Sequence, residues 1–257
     1  MLHRDITADV LVYERGFRRG DLVILTCNLD GGKTMAKKSV TFSFDDGVKQ
    51  DAPLVELFNK YGIKCTFNLN TGLANEKCRW VYKGVDVIHM NKADMLDLYK
   101  GHEVAVHTLT HPFLEKLDEE RIYNEIYGDK CNLEDWYGEE VVGMAYPYGT
   151  YDERVLEIIK RCGIKYARTT KVTPEFTPQE DLLQLKSSCC FTSPELPAII
   201  DRFLGSESDQ KQVLYIWGHT YQLGVDMSWE AFEEICKKLS SVKGLLFETN
   251  KDALLKD

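Results

Sequence analysis

Two kinds of hydrophobic pattern alternate along the chain. Short runs rich in β-branched and aromatic residues, such as "KSVTFSF" (38–44), read as strands, and stretches with apolar residues every three or four positions read as helices. On this pattern strands are expected over 38–44, 63–70, 102–108, 141–147, 164–170, 212–219 and 244–249. Helices are expected over 50–62, 91–101, 117–138, 152–163, 194–205 and 228–241. Their ends carry the usual signals: Pro53 in a first turn, Asn91 as a cap, Gly62 and Gly101 as stops. Strand–helix alternation implies a parallel sheet with helical crossovers. The first choice is a distorted (β/α) barrel of seven or eight strands, and an open doubly wound sheet is the second. Residues 1–34 fit neither pattern and read as an N-terminal extension, with 35–257 as the main domain.

Composition narrows the function. The 257 residues are 44% hydrophobic, enough for a full core, and carry a net charge of −9. The densest basic cluster, "RGFRR" at 15–19, is small on an acidic chain, so nucleic acid is not an expected partner. No apolar run approaches a membrane span, and the first residues are charged throughout, without an apolar signal core. The eight cysteines form no Cys-x-x-Cys pair. Free thiols in a cytoplasmic protein are the expectation. Nothing in the sequence sets an oligomeric state. No glycine-rich nucleotide fingerprint is present.

In a parallel architecture the site lies at the C-terminal ends of the strands. Asp45 and Asp46 follow the first strand, "HTLTH" places His107 and His111 after the strand at 102–108, "YPYG" occupies 146–149, and His219 follows a late strand. Each has an ordinary reading alone: a solvated turn, a packing pair, a hydrogen-bonded core histidine. Together they offer a divalent-metal site. On a helical turn positions i and i+4 share a face, so both imidazoles can reach one ion. Two histidines and one carboxylate leave open positions for water. Adjacent carboxylates repel when buried; a cation relieves the repulsion, with one aspartate as ligand and the other as base.

These residues resemble the motifs of the polysaccharide deacetylase superfamily (carbohydrate esterase family four). "TFSFDDG" is similar to its first motif, "HTLTH" to the second, "AYPYG" to the third, and "WGH" stands in the place of the fifth. The resemblance implies a distorted barrel and metal-dependent amide hydrolysis, with acetyl removal from an N-acetylated sugar as the leading activity. By position it makes Asp46, His107 and His111 the ligands of one divalent metal, zinc first, with cobalt, nickel and manganese able to occupy the same set. Asp45 is then the general base, the Tyr148 N–H an oxyanion donor and His219 the general acid. Tyr146 and Trp217 are substrate-binding candidates, although a strand tryptophan also serves simply as core. Two features depart from the pattern. The third motif's arginine, which orients the base, is replaced by Ala145, and the fourth motif, whose aspartate orients the acid histidine, is missing. Arg168, at another strand end, is a candidate for the missing arginine's duty, with a surface salt bridge as the alternative. Hydrolysis of another C–N bond in a small metabolite, and carbohydrate binding without catalysis, are the competing functions.

Overall fold

β1 (Lys38–Asp46) shows how the barrel is built. Val40, Phe42 and Phe44 alternate with Ser39, Thr41, Ser43 and Asp45, and every one of them is buried. Successive strand side chains point to opposite faces. The apolar set meets helix residues: Phe42 and Phe44 pack on Phe58 and Phe232 with ring centroids 4.9–6.3 Å apart. The polar set shares hydrogen bonds with Asn68 and Asn250 inside the barrel. Asp45 is the last residue of that inner polar row.

The computed structural model describes residues 37–256, so the proposed extension at 1–34 lies outside the described residues. After β1 come α1 (Asp51–Tyr61), β2 (Cys65–Leu69), β3 (Arg79–Tyr82), β4 (Val85–Ile88), α2 (Lys92–Leu98), β5 (Glu103–Val106) and α3 (Glu119–Tyr137). There follow β6 (Gly143–Ala145), α4 (Glu153–Arg161), β7 (Tyr166–Val172), β8 (Leu185–Ser187), β9 (Cys189–Cys190) and α5 (Leu196–Gly205). β10 (Gln212–Gly218), α6 (Trp229–Ser240), β11 (Leu246–Phe247) and α7 (Asn250–Leu255) complete the domain. The main sheet runs β8-β7-β6-β5-β2-β1-β10-β9 with parallel pairing throughout, and β11 adds to β1. This is the distorted (β/α) barrel expected from the sequence. The distortion lies at the seam. β8 and β9 are consecutive in the chain yet end opposite edges of the strand order. Between them Ser188 donates its N–H to Tyr215 O (2.8 Å) and accepts the Tyr215 N–H at Oγ (3.0 Å).

Five elements escaped the hydrophobic pattern. β3 and β4 form a separate antiparallel hairpin whose Lys83-Gly84 turn has positive φ at both residues, without the Asn-Gly that marks such turns most clearly. β8 and β9 are too short to show a period, and α7 has six residues. The strand expected at 244–249 shrinks to the two residues of β11.

Candidate functional site

The two aspartates end β1, where the backbone makes an abrupt turn. Asp46 (φ 84°) and Gly47 (φ 67°) both lie in the left-handed region. Aspartate enters it at modest cost, and glycine at none. A Cβ at Gly47 would also come to 2.9 Å from the Met95 methyl and 3.0 Å from a Leu69 methyl, so those side chains would have to shift to admit one, in addition to the strain at φ 67°. The turn sends the two carboxylates to different partners.

Asp46 meets the two histidines. His107 directly follows β5 and His111 lies in the loop beyond it. The helical-turn geometry expected for this pair is not what forms. Residues 107–111 are a loop, with positive φ at Thr108 (69°) and His111 (57°), and these two reversals bring the rings to 4.8 Å between centroids. The loop is pinned from below. Asn70 donates to the carbonyls of His107 and Thr108, at 2.5 and 2.8 Å, and Asp129 on α3 accepts the His107 N–H at 3.1 Å. His107 Nδ1 stands 2.8 Å from Ala145 O, which can only accept, so Nδ1 carries the proton and Nε2 presents a lone pair. Burial pushes this imidazole down to about 4, keeping it neutral.

The donor set fits a cation. Asp46 Oδ1 is 3.5 Å from His107 Nε2 and 3.7 Å from His111 Nε2, and all three ligand atoms lie within 4.8 Å of one another. Those separations are long for hydrogen bonds. They suit donors around one ion, since ligands ~2.1 Å from a tetrahedral zinc stand about 3.4 Å apart. His107 Nε2 is fully buried and has no hydrogen-bond partner, an expensive state that a metal would relieve.

Asp45 takes the other direction. Arg168 Nη2 lies 2.6 and 2.5 Å from its two oxygens, and Asn68 Nδ2 donates at 2.8 Å. Burial raises a carboxylate, but here the Arg168 guanidinium, helped by His107 and His219, prevails and holds Asp45 at about 2. Arg168 is itself 1% exposed, which rules out the surface salt bridge considered above. Its β7 position is the cross-strand partner of Ala145 in β6. The guanidinium therefore emerges one strand over from the position where the motif resemblance places an arginine. Trp217 covers it, with the Arg168 Cζ 4.4 Å from the indole centroid, so Trp217 both packs and lines the cleft. His219 completes the ring, with Nε2 3.9 Å from Asp45 Oδ2 and from Asp46 Oδ2.

Around these groups lies a cleft of about 510 Å³. Tyr148 enters it half-exposed, stacked on Phe113 at 3.8 Å and set edge-on to His111. Tyr146 lines the floor with its hydroxyl committed to Leu183 O. Among the described residues, non-glycine positive φ occurs at Asp46, Lys83, Thr108, His111 and Tyr148. All but Lys83 belong to the site, a concentration of backbone strain that often marks function. Sequence reasoning missed Asn68, Asn70 and Asp129, which hold the loops, and Trp80, His89 and Tyr221, which wall the cleft. "NLN" at the end of the second expected strand was a usable signal for the asparagines. Trp80 and His89 depend on the unforeseen hairpin.

A carboxylate and two imidazoles on barrel loops, with a second aspartate tied to arginine, define a metal site of the deacetylase type. The chain belongs to the polysaccharide deacetylase family, whose model matches residues 32–167. That span includes both aspartates, His107, His111 and Tyr148, and stops one residue before Arg168. Over 129 residues the chain is 26% identical to peptidoglycan-N-acetylglucosamine deacetylase PgdA of Listeria monocytogenes, covering 49% of this chain and 25% of the relative. Over 123 residues it is 27% identical to chitin deacetylase 1 of Cryptococcus neoformans, covering 48% and 23%. The chain thus spans about a quarter of the length of these curated relatives. In fold it is similar to the CE4 domain of a multidomain xylanase from the hindgut metagenome of Trinervitermes trinervoides (TM-score 0.54, 18% identity, 84% of this chain and 89% of that one). Among the described residues no helix is long and apolar enough to cross a membrane.

Proposed function

We propose that this protein is a zinc-dependent hydrolase that removes the acetyl group from an N-acetylated sugar, acting in the cytoplasm. The observation that carries the proposal is the division of labour between the adjacent aspartates: Asp46 faces two histidines, and Asp45 faces an arginine. Asp46, His107 and His111 would hold the metal, which when bound lowers the pKa of water and polarises a carbonyl. Asp45, ionised and held by Arg168 and Asn68, takes the proton of the attacking water. The Tyr148 N–H assists the oxygen on which charge develops. His219 protonates the departing nitrogen, without which an amine leaves poorly. Tyr148 and Trp217 flank the place of the acyl group, and the relatives named for peptidoglycan N-acetylglucosamine and chitin support a sugar amide as substrate.

The test is acetate release from N-acetylated chitooligosaccharides by protein loaded with zinc, cobalt, nickel or manganese, with bound metal quantified. Acetate and one bound metal per chain support the proposal. Metal with turnover only on cyclic amides of small metabolites moves the substrate class. Sugar binding without turnover under any of these metals leaves a carbohydrate-binding protein.

A further inference from the structure

His219 has an orienting partner in a place that no motif indicates. Gln222, three residues on, accepts the His219 backbone N–H at Oε1 (3.2 Å), and the same Oε1 stands 3.3 Å from His219 Nδ1. Its Nε2 donates to Asp226 Oδ2 at 3.1 Å. A backbone N–H can only donate and a carboxylate can only accept, so the amide has one orientation. The Gln222 N–H donates to His219 O (3.0 Å) and also faces the His219 side chain across the same short turn, and Gln222 Oε1 is the acceptor that Nδ1 has within reach. A proton on Nδ1 satisfies that oxygen, and it leaves Nε2 as the exchangeable position toward Asp45 and Asp46. Asp226 is fixed in turn by the hairpin: Tyr82 O–H donates to Oδ2 at 2.6 Å and Lys83 Nζ reaches Oδ1 at 2.5 Å. The hairpin turn holds Lys83 with φ 47°. Tyr221 packs between the hairpin and the histidine, 4.9 Å from Tyr82, 5.5 Å from Trp80 and 5.0 Å from His219.

We propose that Gln222 is the positioning residue of His219, anchored by Asp226 and the tip of the β3–β4 hairpin. This rests on the reading of His219 as general acid. In that step the C–N bond breaks with its electron pair on nitrogen, and the proton on His219 Nε2 passes to that nitrogen. Gln222 keeps the other ring nitrogen occupied, so the delivered proton is always on the side facing the bond. The hairpin, remote in sequence, thereby sets the ring's angle.

Two measurements test the proposal. The first needs no metal and no turnover: side-chain 15N correlation spectra of metal-free protein at a pH where His219 is neutral. Wild type is expected to show a single Nδ1–H tautomer at His219, and Gln222→Leu a mixture. A wild-type Nε2–H tautomer, or an unchanged spectrum in the variant, overturns the proposal. The second compares an N-acetylated chitooligosaccharide with 4-nitrophenyl acetate, whose leaving group departs without a proton. Gln222→Leu should lose roughly tenfold to hundredfold in kcat on the amide, part of what a general acid supplies, and little on the ester. Gln222→Glu combined with Asp226→Asn reverses the polarity of the pair and should restore the tautomer and the amide rate. Equal losses on both substrates overturn the positioning role. If wild type cleaves neither substrate, the proposed activity fails, while the spectra still decide whether Gln222 orients the ring.

Discussion

The barrel holds two buried polar clusters, one at each end of its strands, and they are finished differently. At the N-terminal end Asn250 of α7 accepts from Thr41, donates to Ser43 and Tyr215, and gives its backbone N–H to Thr66. Glu103 accepts from Thr66, Tyr166 and the Lys251 N–H. Burial raises the Glu103 carboxyl, and these donors partly offset it. At the C-terminal rim the cluster is as buried, yet His107 Nε2, Arg168 Nε, Trp217 Nε1 and Asn70 Oδ1 end on nothing within the protein. Elsewhere among the described residues the unpartnered buried atoms are Asn68 Oδ1, Gln50 Oε1, His102 Nδ1, Glu248 Oε2 and the hydroxyls of Ser39 and Ser187, none of them on Asn250, Glu103 or their direct partners. A buried polar group left unpaired costs about 1–3 kcal/mol. The floor therefore reads as cohesion, and the rim as a place completed by something that binds.

That contrast is broken most directly at a ligand. His111→Ala should reduce metal affinity by more than the ~10–100-fold typical of losing an outer partner and remove turnover, while the unfolding midpoint of metal-free protein stays near wild type. Elemental analysis and thermal melts check it, and unchanged metal content would deny the site. Next is Asp45→Asn, which removes a base but no ligand. Metal should remain, and turnover should fall by about 10²–10⁴. Loss of metal together with turnover would show that the two aspartates have been given each other's roles.

Arg168→Ala acts on both sides of the comparison. It leaves a buried carboxylate unpaired, which costs about 3–5 kcal/mol, and it frees the base, so stability and turnover should fall with metal content unchanged. Arg168→Lys keeps the charge and loses the two-oxygen contact, so it should fold more stably than Arg168→Ala and still turn over slowly. At the floor, Asn250→Ala strands the three partners of its side chain, Thr41, Ser43 and Tyr215, and should cost about 2–4 kcal/mol in chemical denaturation without changing metal affinity. A matching drop in affinity would mean that the two clusters are one unit, joined through Asn68, which bonds both Ser43 and Asp45.

Most of the barrel was legible because its strands and helices are long enough to show a period, as in "KSVTFSF" and "DERVLEIIKRCG". The site was legible where chemistry follows chain order: Asp45, Asp46, His107, His111 and His219 all stand at strand ends. What could not be read was conformation. The spacing of His107 and His111 pointed to a helical turn, whereas two positive-φ residues do the same work. Nor does any local pattern show that Arg168 faces the partner of Ala145, because that depends on strand register. Asp129 lies in the middle of an amphipathic helix, where nothing local marks it as the acceptor toward Thr71 and His107.

The smallest expected effect concerns a carboxylate between the two regions. Asp51, at the start of α1, is buried and accepts from Tyr99 O–H (2.5 Å), the Val48 N–H (3.2 Å) and Thr220 O–H, the last two on rim loops. Burial outweighs these donors and raises its carboxyl from 3.8 to about 7. A folded pKa above the unfolded one means that the folded state keeps a proton the unfolded chain releases. Its contribution to stability is therefore full below about 3.8, declines as pH rises by at most about 1.4 kcal/mol per unit, and levels off beyond about 7. Asp51→Asn cannot titrate, so the stability difference between wild type and this variant, measured by denaturation from pH 4 to 8, should slope downward and then flatten. Lost contacts shift that difference by a constant and leave the slope. A difference that is level across the range would mean the three donors hold Asp51 ionised, and that the rim loops are tied down by charge rather than by a neutral acid.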